Sequence, residues 1–100
     1  MKMVNNLLSI TNIACFMEGL VVGTKAGIEP STLFEVISSC SGNSTVFQMK
    51  AHQILQGNFR PIFALDLAYK DLYLGTMLAE ELRVPIFLGS VARELFGGYC

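Results

Sequence analysis

Lys2 and Asn6 stand four positions apart at the start of the chain. On a helix that spacing puts an amine and a carboxamide on one face, one turn apart. A second amine, Lys70, lies far downstream in the run Phe63-Ala-Leu-Asp-Leu-Ala-Tyr-Lys70-Asp71-Leu72. Two amines and an amide suit the handling of a small anionic carbonyl compound. A lysine ammonium can give a proton to a carbonyl oxygen as it becomes an alkoxide, or stabilise the charge that develops there. An ordinary lysine has a pKa near ~10.4, so proton transfer at neutral pH requires burial or a neighbouring charge to tune it. Otherwise such a residue is an exposed amine near a chain end. Asn6 offers donors and an acceptor and orients a hydroxyl or carboxylate without titrating, or it packs within the helix as a local polar group. Lys70 follows Asp66 by four residues, the order that favours a modest helical ion pair.

These residues must be positioned by helices. Residues 2–26 read as one long helix, with Leu7, Ile10, Ala14, Met17 and Val21 as an apolar stripe and Gly27 at its C-terminal end. Pro30 suits the first turn of a second helix, with Thr32-x-x-Glu35 as a capping box and Leu33, Phe34, Val36 and Ile37 on the core side. The tract Ser38 to Ser44 is a turn, followed by a short helix from about Thr45 to Leu55. Gln56-Gly57-Asn58 ends that helix and Phe59-Arg60-Pro61-Ile62 is an irregular connection. Further helices are expected over 64–82 and over Ile86 to Phe96, separated by Val84-Pro85. No strand alternation of useful length occurs, so the expectation is an all-α helical bundle.

Composition narrows the function classes. Hydrophobic residues make up 52% of the 100 positions and charged residues 15%, with a mean hydropathy of +0.50. So small a domain cannot bury that much apolar surface internally. Either a membrane or a partner must cover it, and no run approaches the ~18 uninterrupted apolar residues of a spanning helix. A net charge of −1 with no basic run gives no support for nucleic-acid binding. The apolar stretch after Met1-Lys2 is broken by Asn5, Asn6, Asn12 and Glu18, which argues against a signal peptide. Asn12 also stands where a lipoprotein site ahead of Cys15 wants an aliphatic residue. Cys15, Cys40 and Cys100 form no C-x-x-C pair and fit free thiols in a cytoplasmic protein. His52 has no ligand-spaced partner and reads as a surface histidine on a polar turn. Glu18 reads as an internal helix carboxylate satisfied by a neighbouring helix.

The pattern K-x-x-N-N at Lys2, Asn5 and Asn6, followed by F-x-x-x-L-x-x-K-D-L ending at Leu72, resembles the C-terminal domain of the β-hydroxyacid dehydrogenases. That family includes 3-hydroxyisobutyrate dehydrogenase, tartronate semialdehyde reductase and the glyoxylate/succinic semialdehyde reductases. Glu18, Lys25 to Pro30, Ser41 to Ser44, Asn58 to Phe63 and Val84-Pro85 agree in order. Each piece is weak alone, whereas the ordered series is strong and covers nearly the whole chain.

The resemblance implies the helical substrate and dimerisation domain of a 6-phosphogluconate-dehydrogenase-like enzyme, truncated at both ends. An N-terminal Rossmann domain, the main holder of NAD or NADP, would lie outside this chain. Lys2 would be the catalytic acid/base, Asn6 would bind substrate and Lys70 would contact the cofactor. Phe63 would form a wall of the cleft, and Asp71 would support the local structure. The substrate would be a small hydroxy acid or its semialdehyde, and the protein a homodimer or higher oligomer. The decarboxylating 6-phosphogluconate dehydrogenases share a K-M-V-x-N start but carry a histidine third and a glutamate seventh after the lysine. Here those positions are Asn5 and Ser9, which favours the simple alcohol/carbonyl reaction. The competing class is a non-catalytic helical module whose role is association.

Overall fold

The computed structural model describes the backbone of residues 1–55 and 65–97 and the side chains of 1–53 and 69–95. Five α-helices follow in order: α1 Lys2–Lys25, α2 Pro30–Ser38, α3 Thr45–Leu55, α4 Leu65–Glu81 and α5 Phe87–Gly97. Each starts and stops within a residue or two of its expected position, and no strand is present among the described residues.

Local chemistry explains the boundaries. Gly27 adopts φ 93°, a left-handed conformation that glycine tolerates without strain. Its N–H bonds the Thr24 carbonyl and the Ile28 N–H reaches back to Gly23, closing the end of α1 with the two bonds of a Schellman motif. The same pair of bonds ends α4, from Arg83 N–H to Glu80 and from Val84 N–H to Ala79. Here a non-glycine residue, Arg83, carries the positive φ of 59°. Pro85 then prevents the helix from resuming. The Ser44 Oγ accepts the Phe47 N–H and so caps α3.

The proposed capping box on α2 is corrected. Glu29 is the N-cap, without a side-chain capping bond, and Pro30 occupies the first turn. Thr32 and Glu35 therefore lie inside the helix, and both are exposed. Proline's fixed φ starts the helix one turn earlier than the Thr-x-x-Glu pattern suggests.

The chain divides into two compact units. One comprises Met1–Ala14 with the segment carrying α4 and α5. Leu72 is fully buried there, with Ala79 and Ala92 close behind. Leu7 packs against backbone that side chains leave open. A Cβ added at Gly89 would stand 2.8 Å from the Leu7 Cδ1, and one added at Gly75 would stand 3.7 Å from it.

The second unit comprises the rest of α1 with α2 and α3. Leu20, Leu33, Phe47 and Ala51 form its buried core, with Phe16, Phe34 and Ile37 packed against it. The Phe16 ring meets Phe47 edge-on at 5.3 Å, and Phe34 stacks on Phe47 at 5.6 Å. Such pairs add about 0.5–1.5 kcal/mol beyond the area they bury. Gly23 permits close approach of α1 to α2, since a Cβ there would lie 2.6 Å from the Leu33 Cδ2.

Two expected core positions are corrected. Val21 is 59% exposed and Val36 is 55% exposed, whereas Leu20 is only 3% exposed. Helix α1 is apolar on several faces, so its neighbours and not its periodicity choose which face is buried. It is also long and apolar enough, by length and composition, to cross a membrane. Asn5, Asn6, Asn12 and Glu18 interrupt it, and Ile13, Ala14 and Leu20 are buried in the protein.

Candidate functional site

Lys2 is the first residue of α1 and is exposed, leaving its amine free to meet a small molecule. Asn6 follows one turn later and is half-buried. Its Nδ2 donates to the Asp71 Oδ2 at 3.2 Å, a contact between residues 65 positions apart. Asp71, expected to support the local structure, thus ties the start of α1 to α4. Lys70 is the preceding residue on α4, and its side chain is exposed. Adjacent helical residues point about 100° apart around the axis, so Lys70 and Asp71 serve different surroundings. Phe63 and the Asp66 side chain lie outside the described residues.

A cavity of about 150 Å³ is lined by Met3, Val4, Leu7, Gly75, Leu78, Ala79, Leu82 and Val84. It presents no titrating group, and none of Lys2, Asn6 and Lys70 lines it.

A second polar cluster escaped the sequence reading. Arg93 on α5 donates from Nη1 to the Thr76 Oγ1 at 3.0 Å, and Thr76 donates to the Tyr73 carbonyl at 2.8 Å. The guanidinium lies over the Tyr73 ring, 5.6 Å from its centre. A lone arginine near the chain end carries no motif, so nothing in the sequence announces this arrangement. It joins α4 to α5 and serves packing.

Other expected positions are revised by the fold. His52 sits in the last turn of α3 rather than on a polar turn, with its ring 5.6 Å from that of Phe34. Glu18 is exposed, not an internal carboxylate. Cys15 and Cys40 are exposed free thiols. Among the described residues no group of His, Cys, Asp and Glu has the placement of a metal site.

A family model described as NAD-binding of NADP-dependent 3-hydroxyisobutyrate dehydrogenase matches residues 1–99. The chain belongs to this family. It is 40% identical over 98 residues to 2-(hydroxymethyl)glutarate dehydrogenase of Eubacterium barkeri, covering 97% of this chain and 33% of that protein. It is 33% identical to L-threonate dehydrogenase of Cupriavidus necator, covering 95% of this chain and 32% of that protein. Among solved structures, a 3-hydroxyisobutyrate dehydrogenase from Salmonella typhimurium superposes with a TM-score of 0.91 at 31% identity. That match covers 97% of this chain and 34% of the other. The chain spans about one third of the length of the curated relatives it matches.

The family description makes NAD(P) the cofactor associated with this domain, and the relatives named above are hydroxyacid dehydrogenases. One apportionment changes. The sequence reading put this domain at the C-terminal end of its enzyme and cofactor binding mainly outside it. The matching description names this very region as NAD-binding, and the C-terminal placement is not carried by the match. The residues fit a share of a dinucleotide: the exposed ammonium of Lys70 can take one polar contact. Among the described residues no glycine-rich turn follows a strand to cradle a pyrophosphate.

Proposed function

We propose that this domain supplies the acid/base lysine and the substrate-orienting amide of an NAD(P)-dependent enzyme. That enzyme interconverts a small β-hydroxyacid and its semialdehyde. The observation that carries the reading is the Asn6–Asp71 hydrogen bond. It brings together the two separated parts of the family pattern, K-x-x-N-N and K-D-L. The names of the relatives, dehydrogenases of 2-(hydroxymethyl)glutarate and L-threonate, support a hydroxyacid substrate.

When bound, the nicotinamide supplies or takes up a hydride at the reacting carbon. The Lys2 Nζ gives a proton to the carbonyl oxygen in reduction and takes it from the hydroxyl in oxidation. Asn6, one turn along the same face, orients the substrate beside that amine. Lys70 sets a positive charge against the dinucleotide. A Rossmann fold elsewhere in the full-length polypeptide holds the pyrophosphate, because a glycine-rich turn at a helix N-terminus suits that group. Helical domains of two subunits associate, and the enzyme works in the cytoplasm.

The test is Lys2→Ala in the full-length enzyme. It should lower kcat by about two to four orders of magnitude, the range for a general acid/base, while KM changes less. A near-normal kcat would return Lys2 to the role of a surface lysine. The 100-residue chain alone should show no nicotinamide-dependent turnover.

A further inference from the structure

Building on the functional reading above, we infer that Ser9 is a specificity-determining residue. Its hydroxyl donates to a second oxygen group of the substrate, remote from the reacting carbon. Lys2, Asn6 and Ser9 follow at steps of four and three positions. At 100° per residue they fall within about 60° of one another around α1. Ser9 stands about 4.5 Å beyond Asn6 along the axis and about 10.5 Å beyond Lys2. The three form a polar line on a helix whose other residues from Met3 to Ile10, Asn5 excepted, are apolar.

This line is not simply a solvated face. Val4 and Leu8 are exposed, whereas Asn6 and Ser9 are half-buried. A helix patterned only for solubility shows the reverse. A helical serine can satisfy its hydroxyl on the carbonyl four residues back, and Ser38 does so, donating to the Phe34 carbonyl at 2.6 Å. Among the described residues the Ser9 hydroxyl takes no such bond. Two residues on, the Thr11 Oγ1 is sealed from solvent without a partner, while the Ser9 oxygen stays within reach of solvent. Ser9 thus offers a sheltered, accessible and unsatisfied donor. A ligand oxygen that accepts its proton recovers the cost of leaving it unpaired. With the reacting end of a hydroxy acid at Lys2 and its middle at Asn6, the substituent that continues down the helix meets Ser9. A carboxylate or ether oxygen there gains a hydrogen bond, and a methyl group leaves the hydroxyl unpaired.

Steady-state kinetics on the full-length enzyme, at saturating cofactor, test the inference with three acids that share one reacting group. They are 2-(hydroxymethyl)succinate, 2-(hydroxymethyl)-3-methoxypropanoate and 2-(hydroxymethyl)-4-methylpentanoate, of which only the last ends in methyl groups alone. Ser9→Ala should lower kcat/KM about tenfold for the preferred member of the first two, chiefly through KM, and should not lower it for the third. Ser9→Thr keeps a hydroxyl and should keep the preference. Alanine is the strongest helix former, so Ser9→Ala should melt no lower than the unsubstituted enzyme, which separates lost recognition from lost fold. An unsubstituted enzyme without preference among the three acids, or a Ser9→Ala variant with an unchanged ratio, would overturn the inference while leaving the role of Lys2 intact. A full-length enzyme that oxidises no hydroxy acid would remove the functional reading, and the inference with it.

Discussion

Lys70 and Arg83 are both exposed cations, yet the physical demands on them differ. Lys70 follows the carboxylate that Asp66 contributes one turn earlier in sequence, and a helical pair of that kind contributes under about 0.5 kcal/mol. If the ammonium instead meets the cofactor, Lys70→Ala in the full-length enzyme should raise the cofactor KM several-fold, and the contact should weaken with added salt. Unchanged kinetics with a slightly lower melting temperature would assign Lys70 to the helix surface. Arg83 is exposed and holds the left-handed position that ends α4. An L side chain there costs roughly 1–2 kcal/mol, and glycine relieves most of it. Arg83→Gly should therefore stabilise the domain by about 0.5–1 kcal/mol, and Arg83→Val should destabilise it. Thermal unfolding of the two variants checks both signs.

Helix α1 shows what one element asks of its glycines. Gly19 and Gly23 lie one turn apart on it, and their surroundings are opposite. No atom stands within 4 Å of a Cβ built at Gly19, whereas one at Gly23 would overlap the buried Leu33 side chain. Gly19→Ala should gain about 0.5–1 kcal/mol from helix propensity alone. Gly23→Ala should lose about 1–3 kcal/mol through overpacking, despite the same propensity gain. Denaturant unfolding of the pair separates packing from propensity, and equal signs would contradict the approach of α1 to α2. On α3, the Ser44 cap gives a third element-scale expectation. Ser44→Ala should cost about 1 kcal/mol by freeing the Phe47 N–H.

For the whole molecule, the outer face of α5 matters most. Phe87, Leu88 and Val91 are 78%, 76% and 66% exposed, and Leu95 continues the same face one turn later. We propose that a second subunit covers this apolar stripe, since exposed apolar surface of this kind favours association. A stable interface buries about 800 Å² per partner, and at ~25 cal/mol per Å² its apolar half is worth on the order of 10 kcal/mol before ordering costs. The chain is expected to form a dimer or higher oligomer at micromolar concentration. Paired substitution of Phe87 and Val91 by Asp should shift it toward smaller species with helicity retained. Light scattering showing a clean 11.0 kDa monomer for the unsubstituted chain would count against this expectation.

Much of this protein was legible in its residues taken in order. Helix boundaries come from local chemistry: Gly27 and Pro30 act on their own turns, and Val84-Pro85 interrupts the chain whatever surrounds it. The family pattern, too, is a matter of residue types in sequence, and the proposal of Lys2, Asn6 and Lys70 as site residues needs no coordinates. Other properties depend on groups distant in sequence. Val21 faces out and Leu20 faces in because α2 and α3 cover one side of a helix that is apolar on several. Arg83 takes a left-handed backbone because Val84 and Ala79 close the end of α4, where no glycine signals the turn. The bond from Asn6 to Asp71 spans 65 positions, so no local pattern could show it. Local backbone preferences act over a few residues and can be read from them. Burial faces and hydrogen-bond partners arise only when helices meet, and tertiary structure decides those.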